Sequence, residues 1–138
     1  MKGTLMIVLV TAFGAFFSCK KNQTADDGAL RIKLYSCASP IVSGTQVQLC
    51  FDSLLMDSRC PCNADCIWRG IAAGKFSFSV DGQTHRLRLA EFAVWPFLFP
   101  KDTTVAGYKI EFVDLTPYPC MPENADRTEK AEMKITKL

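Results

Sequence analysis

The chain has 138 residues, with 16 Lys+Arg against 14 Asp+Glu for a formal charge of +2, one His and seven Cys. That length suits one folded domain and excludes a multidomain enzyme, and so slight a charge excludes the basic footprint of a nucleic-acid binder. An apolar share of 49% beside 22% charged excludes an intrinsically disordered chain.

Twelve of the first 18 residues are apolar, and Lys2 is the only charge among them. The run Leu5 to Phe17 is broken only by Thr11 and Gly14. As a helix it spans roughly 20 Å, short of the ~30 Å hydrocarbon layer. A positive start, a short apolar centre and an abrupt polar stop describe a secretory signal over residues 1–18. Without it, 120 residues remain, carrying 15 basic side chains (16 less Lys2) and 14 acidic ones.

Phe16 is too large for the position where a general signal peptidase, cutting after Ser18, needs a small residue. Cys19 followed by Lys20-Lys21 instead resembles the start of a bacterial lipoprotein, with Ser18 at the small position before the lipidated cysteine. The resemblance implies that Cys19 is acylated and becomes the first residue of an exported chain, anchored to the lipid bilayer of the cell envelope. Each buried methylene contributes about 0.8 kcal/mol, so two or more acyl chains make a lasting anchor. The polar, aperiodic stretch that ends at Gly28 reads as a tether, giving residues 19–28 as lipidated terminus and linker and 29–138 as the folded domain.

From Ala29 onward the dominant period is two. Leu30, Ile32 and Leu34 alternate with Arg31, Lys33 and Tyr35. The same pattern returns with Val47, Leu49 and Phe51, and again with Phe76, Phe78 and Val80. Asp81-Gly82, the favoured two-residue hairpin turn, leads into a return strand through His85, Leu87 and Leu89. Tyr108, Ile110 and Phe112 mark another strand, and Ala131, Met133 and Ile135 a last one. Pro122 to Lys130 leaves room for one or two helical turns. Short strands with one apolar and one polar face predict an all-β fold, a small antiparallel sandwich or partly open barrel of about six to seven strands.

With Cys19 given to lipid, Cys37, Cys50, Cys60, Cys62, Cys66 and Cys120 remain. An even number in an exported chain predicts three disulfides, although the 15 possible pairings are not resolved by sequence. Cys60 and Cys62 are too close to bond without strain. Cys60 with Cys66 closes a seven-residue loop worth roughly 2.4 kcal/mol, and Cys62 with Cys120 closes a long one worth roughly 4 kcal/mol. Cys37 and Cys50 are then left for each other. The rival reading, metal or ligand capture by the thiols of Cys60, Cys62 and Cys66, lacks a distant second ligand pair. No metal site and no cofactor are assigned.

Around these cysteines the chain reads Asp57-Ser58-Arg59-Cys60-Pro61, then Cys66-Ile67-Trp68-Arg69-Gly70. Pro61 fixes φ and favours a turn, Asp57 and Arg59 can pair or cap the turn's free amides, and Trp68 is a plate able to cover a bridge. The other use of the segment is a recognition loop, with Arg59, Trp68 and Arg69 presented to an anionic or aromatic partner. The segment resembles the Asp-Ser-Arg-Cys-Pro … Cys-x-Trp-x-Gly stretch of small bacterial envelope lipoproteins, and Leu115-Thr116-Pro117-Tyr118-Pro119 is similar to their closing region. The resemblance implies a β-sandwich lipoprotein with a Cys60–Cys66 bridge and no particular reaction.

Glu91 to Pro100, containing Trp95 and Phe97, is the most apolar stretch after the signal. It reads either as an aromatic surface for a partner or as a connection that crosses between sheets and plugs the core. His85 is expected half-buried and satisfied by a neighbour. Acids such as Asp52, Asp57, Asp65, Glu91 and Asp114 are scattered, and there is no phosphate loop, nucleophile elbow or zinc-helix motif. No catalytic residue is assigned. The sequence reading is therefore a non-catalytic binding or structural module of the envelope, engaging an envelope protein partner and no nucleic acid, with a protease-inhibitor-like module as the alternative.

Overall fold

The computed structural model describes residues 29–93, 99–120 and 128–138. The signal segment, Cys19, the tether, Trp95, Phe97 and residues 122–127 of the expected helical turns lie outside the described residues.

Ten strands follow one another: β1 Leu30–Lys33, β2 Ser36–Ala38, β3 Ile41–Val42, β4 Thr45–Gln46, β5 Gln48–Asp57, β6 Ala72–Val80, β7 Gln83–Ala90, β8 Asp102–Val105, β9 Tyr108–Thr116 and β10 Lys130–Lys137. Two four-stranded antiparallel sheets, ordered β1-β10-β9-β8 and β2-β5-β6-β7, face each other, and β3-β4 forms a separate hairpin. The fold is the all-β sandwich expected, but with ten strands in place of six or seven. The four unforeseen strands β2, β3, β4 and β8 have two to four residues each. Segments that short show too little alternation to be read as strands.

Alternation positions the core. Leu49, Phe51, Phe76, Phe78, Leu87 and Leu89 point inward from one sheet, and Ile32, Tyr108, Ile110, Phe112, Ala131 and Met133 from the other. Phe76 stacks on Phe51 at 5.0 Å and meets Phe112 of the facing sheet edge-on at 5.2 Å. Phe78 and Tyr108 make a second contact between sheets at 5.5 Å. Gly74 lies beneath these rings; a Cβ there would stand 2.9 Å from both Phe51 and Phe76.

Three hairpins turn on two residues with positive φ: Ser43-Gly44, Asp81-Gly82 and Ala106-Gly107. That backbone matches strand twist, and glycine at the second position removes the Cβ clash. Bulges change the inward phase where alternation alone would fail. One in β9 at Val113 turns Leu115 inward after Phe112, and two in β5, at Asp52 and Leu55, twist that strand. β7 and β8 belong to different sheets; of the Glu91 to Pro100 stretch between them, residues 94–98 lie outside the described residues.

Candidate functional site

The Asp57-to-Gly70 corner grows out of the β5–β6 pair at one end of the sandwich. Its ladder continues past both strands, with Ser58 N–H donating to Ile71 O at 2.8 Å and Cys60 N–H to Arg69 O at 2.9 Å. The Ser58 hydroxyl donates to Ile71 O and accepts from Ile71 N–H. Gly70 has φ +71°, and a Cβ on it would lie 1.8 Å from Ser58 O. Only glycine lets the two strands of the corner cross this closely.

Arg59 is the centre of the corner and is 5% exposed. Its Nε and Nη2 donate to the two carboxylate oxygens of Asp57 at 2.8 and 2.7 Å. Nη2 also donates to Pro117 O at 2.9 Å, and Nη1 to the Leu115 carbonyl. The Tyr118 ring covers the guanidinium at 5.0 Å, and its hydroxyl donates to Cys60 O at 2.9 Å. A planar, permanently charged fork with five donors suits two carbonyls and a carboxylate together; an ammonium does not. Arg59 thus bolts the end of β5 to the end of β9, across the two sheets.

Two carboxylates gather behind it. Glu91, directly after β7, is buried, and both Arg59 and the exposed Asp114 of β9 act on its carboxyl. Burial pushes the Glu91 carboxyl above its ordinary value; attraction by Arg59 opposes the rise, and Asp114 adds to it. Burial alone lowers the Arg59 pKa, but the hydrogen bonds and charge of Asp57, with Glu91 and Asp114, leave it raised overall. Spacing in the chain did not reveal this meeting of acids. The available signal was Glu91 itself, a lone charge opening the most apolar stretch of the folded domain.

The disulfides are Cys37–Cys50, Cys60–Cys66 and Cys62–Cys120. The first joins direct register partners on β2 and β5, with Cα atoms 3.9 Å apart. The other two close the corner on itself and tie it to the segment after β9, with Cα separations of 5.9 and 5.1 Å. All three sulfurs of the Cys60–Cys66 segment are therefore bonded to other sulfurs, which removes the thiolates that metal capture there requires.

Three expectations need correcting. Arg59, read as one of the residues offered to a partner, is interior, because Asp57 and the β9 carbonyls satisfy it in the core. Trp68 does not seal a bridge; it is 55% exposed, and Ile67 beside it is fully exposed. Arg69 does stand on the surface, stacked over the Phe92 ring at 4.7 Å, and Phe92 is itself exposed. His85 is half-buried, yet its buried Nε2 has no hydrogen-bond partner among the described residues. On the side of the corner that faces water, Ile67, Trp68, Arg69 and Phe92 thus carry apolar surface and one cation.

No protein-family model, curated protein or solved structure matches this chain.

Proposed function

We propose that the protein is an exported, lipid-anchored binding module of the bacterial cell envelope, whose stapled corner presents Ile67, Trp68 and Arg69 to a protein partner. The observation that carries this reading is the contrast within the twelve residues Arg59 to Gly70 between a fixed base and a bare tip. The base holds a buried Arg59, a Gly70 crossing and two disulfides. The tip leaves Ile67 and Trp68 in water, where burying them against a partner recovers hydrophobic free energy at little conformational cost. Tryptophan and arginine are also the side chains that most often dominate interface energies. Three disulfides support export to an oxidising compartment, and the Cys19 resemblance supports the anchor.

A rigid exposed loop also fits a protease cleft, so inhibition of an exported protease is one form of this reading. Chemistry by Glu91 and Asp114 is less supported, since Glu91 is buried beside Arg59 while Asp114 stands exposed.

Intact-mass measurement of the mature protein, with and without reductant, tests export and anchor together. The expected material begins at Cys19, carries acyl mass and gains six hydrogens on reduction. Cys19→Ser should leave the membrane fraction; retention removes the anchor from the proposal. For the recognition surface, a photo-crosslinking residue replaces Trp68 in intact cells, with a control at exposed Gln83 at the far end of β6–β7. A discrete adduct from position 68 alone is expected. Identical adduct patterns from both positions would sink the assignment of the corner as the binding surface.

A further inference from the structure

The outer face of the β5–β6–β7 sheet carries charge that the fold leaves uncompensated. Lys75 on β6 lies directly opposite Arg88 on β7, and Arg86 follows two residues away on the same face. All three are exposed. Like charges placed directly across a ladder destabilise it, so this pairing does nothing for the fold. The ion pairs among the described residues, Arg31–Glu132, Arg59–Asp57, Lys101–Glu111 and Lys109–Asp102, include none of these three cations.

The same residues line a groove of about 460 Å³ together with Asp52 and Ser53. Its floor is the backbone of the Phe76–Leu87 pair, whose side chains point into the core. Asp52, the bulged residue of β5, and Ser53 form one wall. Asp52 is the one carboxylate lining the groove, and it accepts a hydrogen bond of 2.5 Å from the Ser77 hydroxyl. Three cations against one carboxylate leave a local charge of +2.

We propose that this groove binds a phosphomonoester-bearing molecule. A phosphomonoester carries a charge of about −1.5 to −2 at neutral pH, which complements the uncompensated +2. Two guanidinium forks and an ammonium offer bidentate and point-charge contacts to its oxygens. The volume falls in the range that holds a small organic ligand, so the anion is carried on a sugar or a headgroup rather than free. The site lies on the sheet face, apart from the stapled corner, and stands whether or not the corner is a recognition surface.

The test uses the oxidised full-length mature domain and three probes: inorganic phosphate, glucose 6-phosphate, and phosphatidylcholine vesicles with or without phosphatidic acid. Binding is followed by the NMR shifts of the arginine side-chain N–H groups of Arg86 and Arg88. Saturable, salt-sensitive binding of glucose 6-phosphate or of the phosphatidic acid vesicles is expected. Which of the two binds tells a soluble sugar phosphate from a lipid headgroup. The double variant Arg86→Gln, Arg88→Gln should weaken that binding about tenfold or more, while Lys134→Gln on the other sheet should not. The double variant should also keep or slightly raise the melting temperature, since it relieves repulsion. The proposal is overturned if no probe saturates below about 10 mM, if the double variant binds as well as the parent, or if it melts lower.

Discussion

The middle of the sandwich and the base of its stapled end are held by different forces. In the middle, Phe51, Phe76, Phe78 and Phe112 pack across the sheets by burial and ring contact. Such contacts are non-directional and tolerate rearrangement when volume is kept. At the end, one guanidinium satisfies two carbonyls and a carboxylate, and one glycine lets two backbones touch. Those contacts are directional and admit almost no substitute. The lesson is that a small domain can carry an exposed tip, Ile67 and Trp68, on a base fixed by geometry rather than by bulk.

The largest effect should come from pressing on that geometry at Gly70. Gly70→Ala forces a Cβ onto Ser58 O at a positive φ, and the corner must open to accommodate it. We expect a loss above about 4 kcal/mol, in the range reserved for severe structural conflict. Gly82 at the opposite end also has a positive φ, +76°, but nothing lies within 4 Å of its added Cβ. Gly82→Ala should therefore cost only about 1–2 kcal/mol, the penalty of the left-handed backbone alone. Chemical denaturation of both variants with the disulfides intact checks the comparison; equal losses would mean that the close crossing in the corner is not what matters.

Close behind comes the guanidinium. Arg59→Gln strips the charge partner from Asp57 and leaves the carbonyls of Leu115 and Pro117 short of donors, which should cost about 3–5 kcal/mol. Arg59→Lys should recover little of this, because an ammonium has no fork to span the same acceptors. Phe76→Leu, in the middle of the core, should cost only about 1–2 kcal/mol, since most of the buried apolar volume survives. Should Arg59→Lys prove as mild as Phe76→Leu, the distinction between directional and non-directional regions collapses.

The middle was legible in the sequence and the end was only half so. A period of two announces itself wherever a strand runs long enough, which is why β1, β5, β6, β7, β9 and β10 were all foreseen. The hairpins at Ser43-Gly44 and Ala106-Gly107 escaped because their leading residues, serine and alanine, are not the usual entrants to such turns. The Cys60–Cys66 pair and the Asp57–Arg59 pairing could be read locally, since the partners sit within a few residues. The burial of Arg59 could not. It depends on carbonyls more than fifty residues away, brought close by the sheets and by the phase change at Val113. The meeting of Glu91 with Asp114 is hidden for the same reason.

That pair supplies the smallest expected effect and the one with a sign to check. Burial raises the Glu91 carboxyl above its ordinary value, so the folded protein holds this proton more tightly than the unfolded chain does. The stability that follows is fully present below the ordinary glutamate value, near 4.5, and is lost as the pH climbs through the raised one. Glu91 thus works against the usual carboxylate trend, in which stability falls on acidification. Glu91→Gln keeps the shape and a hydrogen-bonding group beside Asp114 but removes the proton. Its denaturation free energy should change less than the parent's between mildly acidic and neutral pH, with the variant gaining on the parent as pH rises. Parallel curves for the two proteins would show that Arg59 already balances Glu91 in full, and the corner would then be as insensitive to pH as the phenylalanine core.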